Sequence, residues 1–225
     1  MSETPRRILV VNPNSNQTVT AGLHEALQPL RFAGGPIIDT ATLTDGPRGI
    51  ESQVHTDAAA TSLQRFVDSP SAAGYDAYVV ACFSDPGLHA LREKVPLAFG
   101  IAEAGIGAAL NLGDSIGVVS ILPNSLPRHA RYFRSLGLQD RIAGDLAINA
   151  RVEELADEQS VRLRLESTAE RLIEDHGADV IVLGCAGMAR YREPLQRHLG
   201  VPVVDPTQAA ACAAIAAVSL GYRRA

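Results

Sequence analysis

Two cysteines follow similar stretches of the chain, and their side chains are the ones best suited to chemistry. Cys82 follows the apolar run within Tyr75–Gly87 (YDAYVVACFSDPG), and Cys185 follows the one within Ala178–Met188 (ADVIVLGCAGM). Each run is typical of a short strand buried on both faces, and each cysteine precedes a turn into a helix. About half of the 225 residues separate the two thiols. The sequence therefore predicts two similar halves, each presenting one thiol at the end of a strand.

Two thiols that face each other across a cleft can invert a carbon stereocentre without a cofactor. One thiolate removes a proton from a carbon beside a carbonyl group, and the opposite thiol returns a proton to the other face. We expect the N–H groups at Phe83–Ser84 and Ala186–Gly187 to stabilise the enolate oxygen, and Asn14 and Ser120 to add hydrogen bonds. A nearby helix N-terminus is expected to lower the pKa of each thiol from about 8.5.

Other patterns in the chain favour no competing chemistry. Gly113–Gly117 spells GxSxG, but a helix pattern precedes it and a strand pattern follows, which reverses the order of a hydrolase nucleophile elbow. The six histidines lack metal-ligand spacing, and Lys94, the only lysine, lies in a charged helix segment rather than at a cofactor site. Cys212 lies in an alanine-rich helix and is interpreted as an inert core residue. We expect neither a metal nor a cofactor.

Composition limits the partners and the compartment. The net charge is −5 and no basic patch is evident, so we expect no nucleic-acid partner. No apolar run reaches the roughly 18 residues of a membrane span, and the start of the chain runs directly into a strand pattern rather than a secretory signal. Three widely spaced cysteines favour a reducing compartment. The sequence thus predicts a cytoplasmic protein that acts on a small molecule.

Strand and helix patterns alternate along the chain, which favours parallel sheets wrapped by helices. The predicted strands are Ile8–Val11, Ile37–Thr42, Tyr78–Ala81, Pro96–Ile101, Ser115–Ile121, a segment within Ile142–Asn149, Ala178–Leu183 and Val201–Val204. We predict an α/β fold of two pseudo-symmetric lobes, each a mostly parallel sheet flanked by helices, with the active site in the cleft between them. Residues 1–112 form the first lobe and residues 113–205 the second, and the closing helix 206–220 packs back on the first.

Six segments spread over nearly the whole chain carry a family resemblance. They are Asn12–Ser15 (NPNS), Gly46-Pro47 with Ile50-Glu51, Ala81–Leu88 (ACFSDPGL), Gly100–Ala104 (GIAEA), Leu183–Met188 (LGCAGM) and Val203–Pro206 (VVDP). In these segments the chain resembles the Asp/Glu/hydantoin racemase superfamily, most closely its hydantoin racemase branch. The resemblance implies a cofactor-independent racemase with two thiols and two pseudo-symmetric α/β lobes.

The resemblance also implies roles for individual residues. Cys82 and Cys185 become the acid/base pair. The implied substrate contacts are Asn14, Phe83, Ser84, Ser120, Ala186 and Gly187, with Pro47 and Ile50 lining a pocket for the substrate's side chain. We therefore expect racemisation of 5-substituted hydantoins by a homo-oligomer. Allantoin racemase, an amino-acid racemase, a maleate isomerase and a binding protein that keeps only the cleft remain alternatives.

Overall fold

Two four-stranded parallel sheets with the same strand order form the framework of the chain. The computed structural model describes residues 5–156 and 158–223. The first sheet contains β1 (Arg7–Asn12), β2 (Ile37–Thr42), β3 (Ala77–Val80) and β4 (Ala98–Gly100) in the order β2-β1-β3-β4. The second contains β5 (Ile116–Ser120), β6 (Ile142–Ala147), β7 (Val180–Leu183) and β8 (Val203–Val204) in the order β6-β5-β7-β8. This repeated order confirms the predicted two-lobed α/β fold.

Helices connect successive strands, and side-chain caps mark where several of them begin. They are α1 (Gln17–Ala26), α2 (Gln53–Val67), α3 (Leu88–Lys94), α4 (Ile101–Ala109), α5 (Leu126–Ser135), α6 (Glu158–Glu174), α7 (Arg192–Leu199) and α8 (Pro206–Ser219). The side chains of Asn16, Ser52 and Asp205 accept hydrogen bonds from the free N–H groups of the first turns of α1, α2 and α8. Each of these caps follows a strand or a loop, so it fixes where the chain turns back over the sheet.

The strand register brings together the loops that contain the candidate active-site residues. Val11 of β1 pairs with Val80 of β3, and Val119 of β5 pairs with Leu183 of β7. All four residues of β3 and of β7 are buried, because helices cover both faces of each sheet. The segments that follow β1 and β3 therefore leave the first sheet side by side, and those that follow β5 and β7 leave the second sheet in the same way.

Helices α4 and α8 join the two sheets. Helix α8 packs on β1, β3 and β4 of the first sheet, while α4 packs on α8 and on β7 and β8 of the second. One continuous cluster of buried apolar side chains consequently includes residues of both sheets. A boundary between lobes at residues 112 and 113 stays a prediction.

One expectation about the closing helix is wrong. Cys212 was expected in the core, but it lies on the exposed face of α8, while Ala210, Ala211 and Ala214 face inward. A run of alanines has no amphipathic pattern, so the sequence does not indicate which face is buried. Within the described residues, none of the helices combines the length and apolar character needed to cross a lipid bilayer.

The close approach of α4 to α8 depends on a glycine. A Cβ atom added at Gly105 would lie 2.8 Å from Cβ of Pro206, whereas one at Gly107 on the same helix would meet nothing within 4 Å. Overpacking a core contact costs about 1–3 kcal/mol, and replacing a helical glycine by alanine at an open position gains up to about 1 kcal/mol. The two glycines therefore form a matched pair for testing the contact.

We predict that Gly105→Ala lowers the free energy of unfolding by about 1–3 kcal/mol, while Gly107→Ala leaves it unchanged or raises it slightly. Urea denaturation followed by circular dichroism measures both. Equal stability of the two variants would contradict the close contact between α4 and α8.

Candidate active site

Cys82 and Cys185 line the same cavity, at the carboxyl ends of β3 and β7. We call it the thiol cavity. Six other residues predicted for the site also line it: Asn14, Ile50, Phe83, Ser84, Ala186 and Gly187. Its remaining walls are Val19, Ala81, Ile121, Ser125, Arg128, His129, Val152 and Gly184. Both lobes therefore contribute to one site, with one thiol from each.

A buried carboxylate fixes the loop that carries Cys82. Asp85, with φ of 42°, accepts hydrogen bonds from the N–H groups of Ala102 and Glu103 at the start of α4, each at 3.0 Å. It also accepts one from the hydroxyl of Tyr132 on α5, at 2.7 Å. Burial raises the pKa of this carboxyl to about 6 despite these donors. Asp85 thereby ties the first cysteine loop to a helix of the second lobe.

The loop that carries Cys185 depends on close backbone packing. The N–H group of Gly184 donates to the carbonyl oxygen of Val119 at 2.8 Å, and a Cβ atom on Gly184 would lie only 2.8 Å from that same oxygen. A glycine is therefore required where β7 ends against β5. Cys185 then precedes a 3-10 helix that spans Ala186–Tyr191.

Burial makes both thiols weaker acids than free cysteine. It raises the pKa of Cys82 to about 12 and that of Cys185 to about 11. Backbone N–H groups, of Ser84 for Cys82 and of Gly187 for Cys185, oppose this change but do not outweigh it. The expectation of lowered pKa values is thus wrong for both thiols. For Cys82 one reason is that helix α3 begins only at Leu88, because the field of a helix terminus acts over about one turn.

The backbone beside each sulfur repeats in the two halves. The N–H group of Ser84 lowers the pKa of Cys82, and that of Gly187 lowers the pKa of Cys185. The correspondence is another sign of the duplicated architecture, because each N–H group belongs to the residue two positions after the thiol. That the N–H groups at Phe83–Ser84 and Ala186–Gly187 stabilise an enolate oxygen stays a prediction.

Asn14 is held so that one end of its amide is available to a ligand. Its Oδ1 atom accepts hydrogen bonds from Nδ2 of Asn12 at 3.1 Å and from the N–H group of Asn16 at 2.9 Å. Its Nδ2 group has no hydrogen-bond partner among the described residues. Asn14 is buried and lines the thiol cavity, so this group is placed to donate to a substrate.

Two residues predicted for the site do not line the cavity. The Pro47 carbonyl oxygen accepts a hydrogen bond from the N–H group of Ser15, at 2.9 Å. Ser120 is fully buried behind the cavity wall, and its hydroxyl donates to Asp145 at 2.5 Å and lies 3.1 Å from Nδ1 of His129. In the described structure neither contacts the space between the thiols.

The cluster of Ser120, His129 and Asp145 resembles a hydrolytic triad only in composition. Nδ1 of His129 donates to Asp145 at 2.9 Å and also faces Ser120, so both partners lie on the same ring nitrogen. A serine hydrolase requires its serine and its acid on opposite ring nitrogens. The cluster therefore orients the His129 ring, which packs edge-on against Phe83 with ring centroids 5.2 Å apart.

Sequence reasoning missed the contribution of α5. Arg128 and His129 are both buried, and both line the thiol cavity. The only signal was a pair of adjacent polar residues in the helix segment LPRHARYF, a pattern equally typical of a solvated surface. Among the described residues, no group of three or more histidine, cysteine or acidic side chains is arranged to hold a metal ion.

Two larger cavities flank the thiol cavity. The thiol cavity has a volume of about 30 Å³, which leaves room for no more than a few water molecules. A cavity of about 380 Å³ shares Val19, Val152 and Gly187 with it, and another of about 310 Å³ shares Ser84, Arg128 and His129. We call the second one the side cavity. A ring-shaped ligand is larger than the thiol cavity, so we expect it to extend into one of these adjoining cavities.

The wall at Val152 is held by apolar burial as well as by polar contacts. The N–H group of Val152 donates to Oε1 of Glu51 at 3.3 Å, and the exposed pair of Glu153 and Arg48 adds about 0–1 kcal/mol. Val152 and Leu155 are buried in the apolar core, and the carbonyl oxygen of Leu155 accepts a hydrogen bond from the hydroxyl of Tyr191 at 2.8 Å. This short 3-10 segment, Val152–Ala156, is therefore anchored to the second lobe.

Comparison with known proteins places this architecture in a family. The family model described as Asp/Glu/Hydantoin racemase matches residues 8–214. The chain belongs to the Asp/Glu/hydantoin racemase family. A hydantoin racemase of Paenarthrobacter aurescens is 36% identical over 96% of this chain and 93% of its own length, and one of Rhizobium meliloti is 34% identical over 96% and 90%.

Structural similarity agrees with this membership. The structure of an allantoin racemase from Klebsiella pneumoniae superimposes with a TM-score of 0.92 and 29% identity, covering 98% of this chain and 90% of that one. The similar racemases are isomerases, and the present family member is likewise an isomerase. The residues that perform its reaction are a separate question, which the geometry of the thiol cavity addresses.

We predict that the stabilising effect of Asp85 depends on pH. Its pKa is about 6 in the folded protein and about 3.8 in the unfolded chain. At pH values between these two, the folded state therefore binds more protons than the unfolded state. The contribution of Asp85 to stability is complete below pH 3.8 and is lost as the pH rises through 6, by up to about 3 kcal/mol. The free energy of unfolding of wild type minus that of Asp85→Asn, measured in urea from pH 4.5 to 7.5, should therefore decrease as the pH rises.

Asp179 supplies the control for this measurement. Its carboxylate accepts the N–H groups of Asp114 and Ser115, which lower its pKa, and its side chain is exposed. Its contribution is present above pH 3.8 and is lost only in stronger acid, so the difference between wild type and Asp179→Asn should be flat over the same range. A flat difference for Asp85→Asn as well would show that its buried carboxyl does not titrate as described.

Proposed function

We propose that this protein is a cofactor-independent racemase of 5-substituted hydantoins, with Cys82 and Cys185 as its acid/base pair. The observation that carries the proposal is that one thiol from each lobe borders a single cavity. Similarity to proteins named hydantoin racemase over nearly the whole chain supports the substrate class. The chemistry needs no group beyond side chains, backbone and substrate.

In this mechanism the two sulfurs exchange roles in each turnover. The thiolate of one cysteine removes the proton from C5 of the hydantoin, and the electron pair of the C–H bond moves into the adjacent C4 carbonyl to form an enolate. The thiol of the other cysteine then gives its proton to the opposite face of C5. The product is the other enantiomer, and the first sulfur ends protonated while the second ends as the thiolate. The opposite enantiomer reacts from this second state.

The buried positions of the sulfurs suit the weak acidity of a carbon next to a carbonyl group. Burial raises the pKa of both thiols, to about 12 for Cys82 and about 11 for Cys185. A thiolate whose conjugate acid is weak is a stronger base, but a smaller fraction of the thiol is ionised at neutral pH, so a group that favours the thiolate has to oppose the effect of burial. Exclusion of water from the small cavity also strengthens every electrostatic interaction with the developing enolate.

Allantoin is the second candidate substrate. It is itself a hydantoin with a ureido group at C5, and the similarity to an allantoin racemase structure favours it. The same two thiols would act on either compound. A panel of single-enantiomer hydantoins that includes allantoin, followed by circular dichroism, separates the two substrates by their relative kcat/KM.

Free amino acids fit this cavity less well than neutral cyclic imides. An amino-acid racemase must hold an ammonium group next to the reacting carbon, which requires an acidic or strongly polar acceptor. None of the residues lining the thiol cavity is acidic, and Arg128 adds positive charge there. A maleate isomerase uses a thiol as a nucleophile, so trapping of a covalent adduct on Cys82 or Cys185 would identify that alternative.

The proposal also includes a cytoplasmic location and self-association. The spacing of the three cysteines favours a reducing compartment, and small α/β lobes often form symmetric oligomers. Light scattering coupled to gel filtration measures the oligomeric state directly.

We predict that Cys82→Ser and Cys185→Ser each lower kcat for racemisation by at least about 1,000-fold, because each removes one of two proton-transfer groups that act as a unit. Circular dichroism of a single-enantiomer hydantoin gives the rates. Cys212→Ser is the matched control, since Cys212 is exposed on α8 and outside the cavity, and it should retain wild-type kcat. Near-normal racemisation by both cavity variants would refute the mechanism.

A further inference from the structure

Arg128 is a buried cation in the wall of the thiol cavity. Its side chain lies between the thiol cavity and the side cavity and borders both. The residue is 9% exposed. It stands on α5, the helix that also carries Tyr132, whose hydroxyl binds Asp85 of the first lobe. The guanidinium therefore belongs to the interface between the lobes at the level of the two sulfurs.

The hydrogen bonds of Arg128 leave its charge without an acidic partner. Nη1 donates to the carbonyl oxygen of Asn124 at 2.8 Å and lies 3.5 Å from that of Glu51, and Nη2 donates to the hydroxyl of Ser125 at 3.3 Å. Each acceptor is a neutral oxygen. Among the described residues no carboxylate forms an ion pair with it. Buried arginines are almost always paired, because an unpaired buried charge is costly.

One donor of the guanidinium is also unused. Nε of Arg128 is completely buried and has no hydrogen-bond partner in the described structure. An unsatisfied buried donor costs about 1–3 kcal/mol, and more when it belongs to a charged group. Such a group calls for an explanation in a native protein, and a role in binding or catalysis is one of them. Because this side chain lines the thiol cavity, a ligand bound between the sulfurs would lie next to it.

Arg128 also interacts with one of the two sulfurs in preference to the other. Its positive charge lowers the pKa of Cys82, and the Cys82 thiolate in turn raises the pKa of Arg128. Arg128 is absent from the groups that shift the pKa of Cys185. The remaining titratable groups that act on Cys82 are Cys185 and Asp85, and both raise its pKa. Arg128 is therefore the charged side chain that favours the thiolate on the Cys82 side.

The reaction proposed above requires a donor for the enolate oxygen. Proton removal from C5 places negative charge on the C4 oxygen, and a hydrogen bond from a charged group stabilises such an oxygen more than one from a neutral N–H group. Stabilising such an oxyanion with a fixed donor is commonly worth about 100- to 1,000-fold in rate. Arg128 has a fixed charge, a free N–H group and a position in the cavity wall.

We propose that Arg128 is a third catalytic residue of this site, whose Nε–H group donates a hydrogen bond to the substrate carbonyl oxygen that becomes the enolate oxygen. The inference rests on the proposed racemase function. It also describes the substrate more closely: a neutral molecule with a carbonyl group next to the stereocentre, whose reacting form becomes anionic. A substrate with a positive charge at that position would be repelled by Arg128.

Arg128→Gln and Arg128→Lys test this role, with Arg134→Gln as the matched control. Arg134 also lies on α5, is exposed, and lines neither the thiol cavity nor the side cavity. We expect Arg128→Gln to lower kcat about 100- to 1,000-fold with a much smaller change in KM, because the donor acts mainly in the transition state. Arg128→Lys should lose at least about 10-fold, since an ammonium group does not reproduce a donor at the Nε position. Arg134→Gln should keep wild-type kcat.

Two further readouts separate catalysis from a structural role. Arg128→Ala should regain part of its kcat when guanidinium ion is added, whereas Cys82→Ser should not. The pH dependence of alkylation by iodoacetamide, measured for each cysteine by peptide mass spectrometry, should move to higher pH for Cys82 but not for Cys185 in Arg128→Gln. Thermal unfolding reports whether each variant is folded, and if Arg128→Gln is not, Arg128→Lys decides the question.

The outcomes distinguish failure of the inference from failure of the proposed function. If wild type racemises hydantoins and a folded Arg128→Gln or Arg128→Lys keeps kcat within threefold, Arg128 is not catalytic. If wild type shows no racemisation of any hydantoin, the proposed function fails, and the alkylation profiles still report on Arg128. If the alkylation profiles are unchanged in Arg128→Gln, or change equally at Cys82 and Cys185, Arg128 does not act selectively on Cys82.

Discussion

The placement of two thiols in one small cavity is the constraint on which the rest of the structure depends. Each sulfur must lie at the end of a central strand, border the cavity and still face the other lobe. Parallel sheets with the same strand order meet these conditions twice, because β3 and β7 occupy equivalent positions and end at the cavity. Asp85 and Gly184 then hold the two cysteine loops against their neighbours.

The enclosure of the sulfurs has consequences for the whole site. Burial raises the pKa of each thiol, which makes the thiolates strong bases. It also strengthens the electrostatic interaction of the sulfurs with any nearby charge. Arg128 is such a charge, and it lies in the same wall as Cys82. The duplicated backbone thus supplies a symmetric pair of acid/base groups, while a side chain from only one lobe makes their surroundings unequal. That inequality suits a reaction in which one sulfur is ionised and the other is not.

Much of the framework could be predicted from the sequence because buried parallel strands have a strong local signal. β2 was predicted with the boundaries Ile37–Thr42 that the structure shows, and Cys82 and Cys185 were recognised from the strands before them. The sequence signal weakens where contacts with distant parts of the chain decide the end of a strand or the burial of a side chain. Val201–Val204 was predicted as a strand, but only Val203–Val204 pairs with β7. Arg128 resembles a surface residue in sequence, and only the packing of α5 against the first lobe buries it.

The central claim is that a single carbon is deprotonated by one thiolate and reprotonated by the other thiol on the opposite face. Racemisation of one hydantoin enantiomer in D₂O at low conversion, with a control for exchange without enzyme, tests it most directly. The account predicts deuterium at C5 of the product enantiomer and protium at C5 of the recovered substrate, because the returning proton comes from a thiol equilibrated with solvent. Product that retains protium, or equal deuterium in both enantiomers from the earliest times, would contradict a two-thiol mechanism.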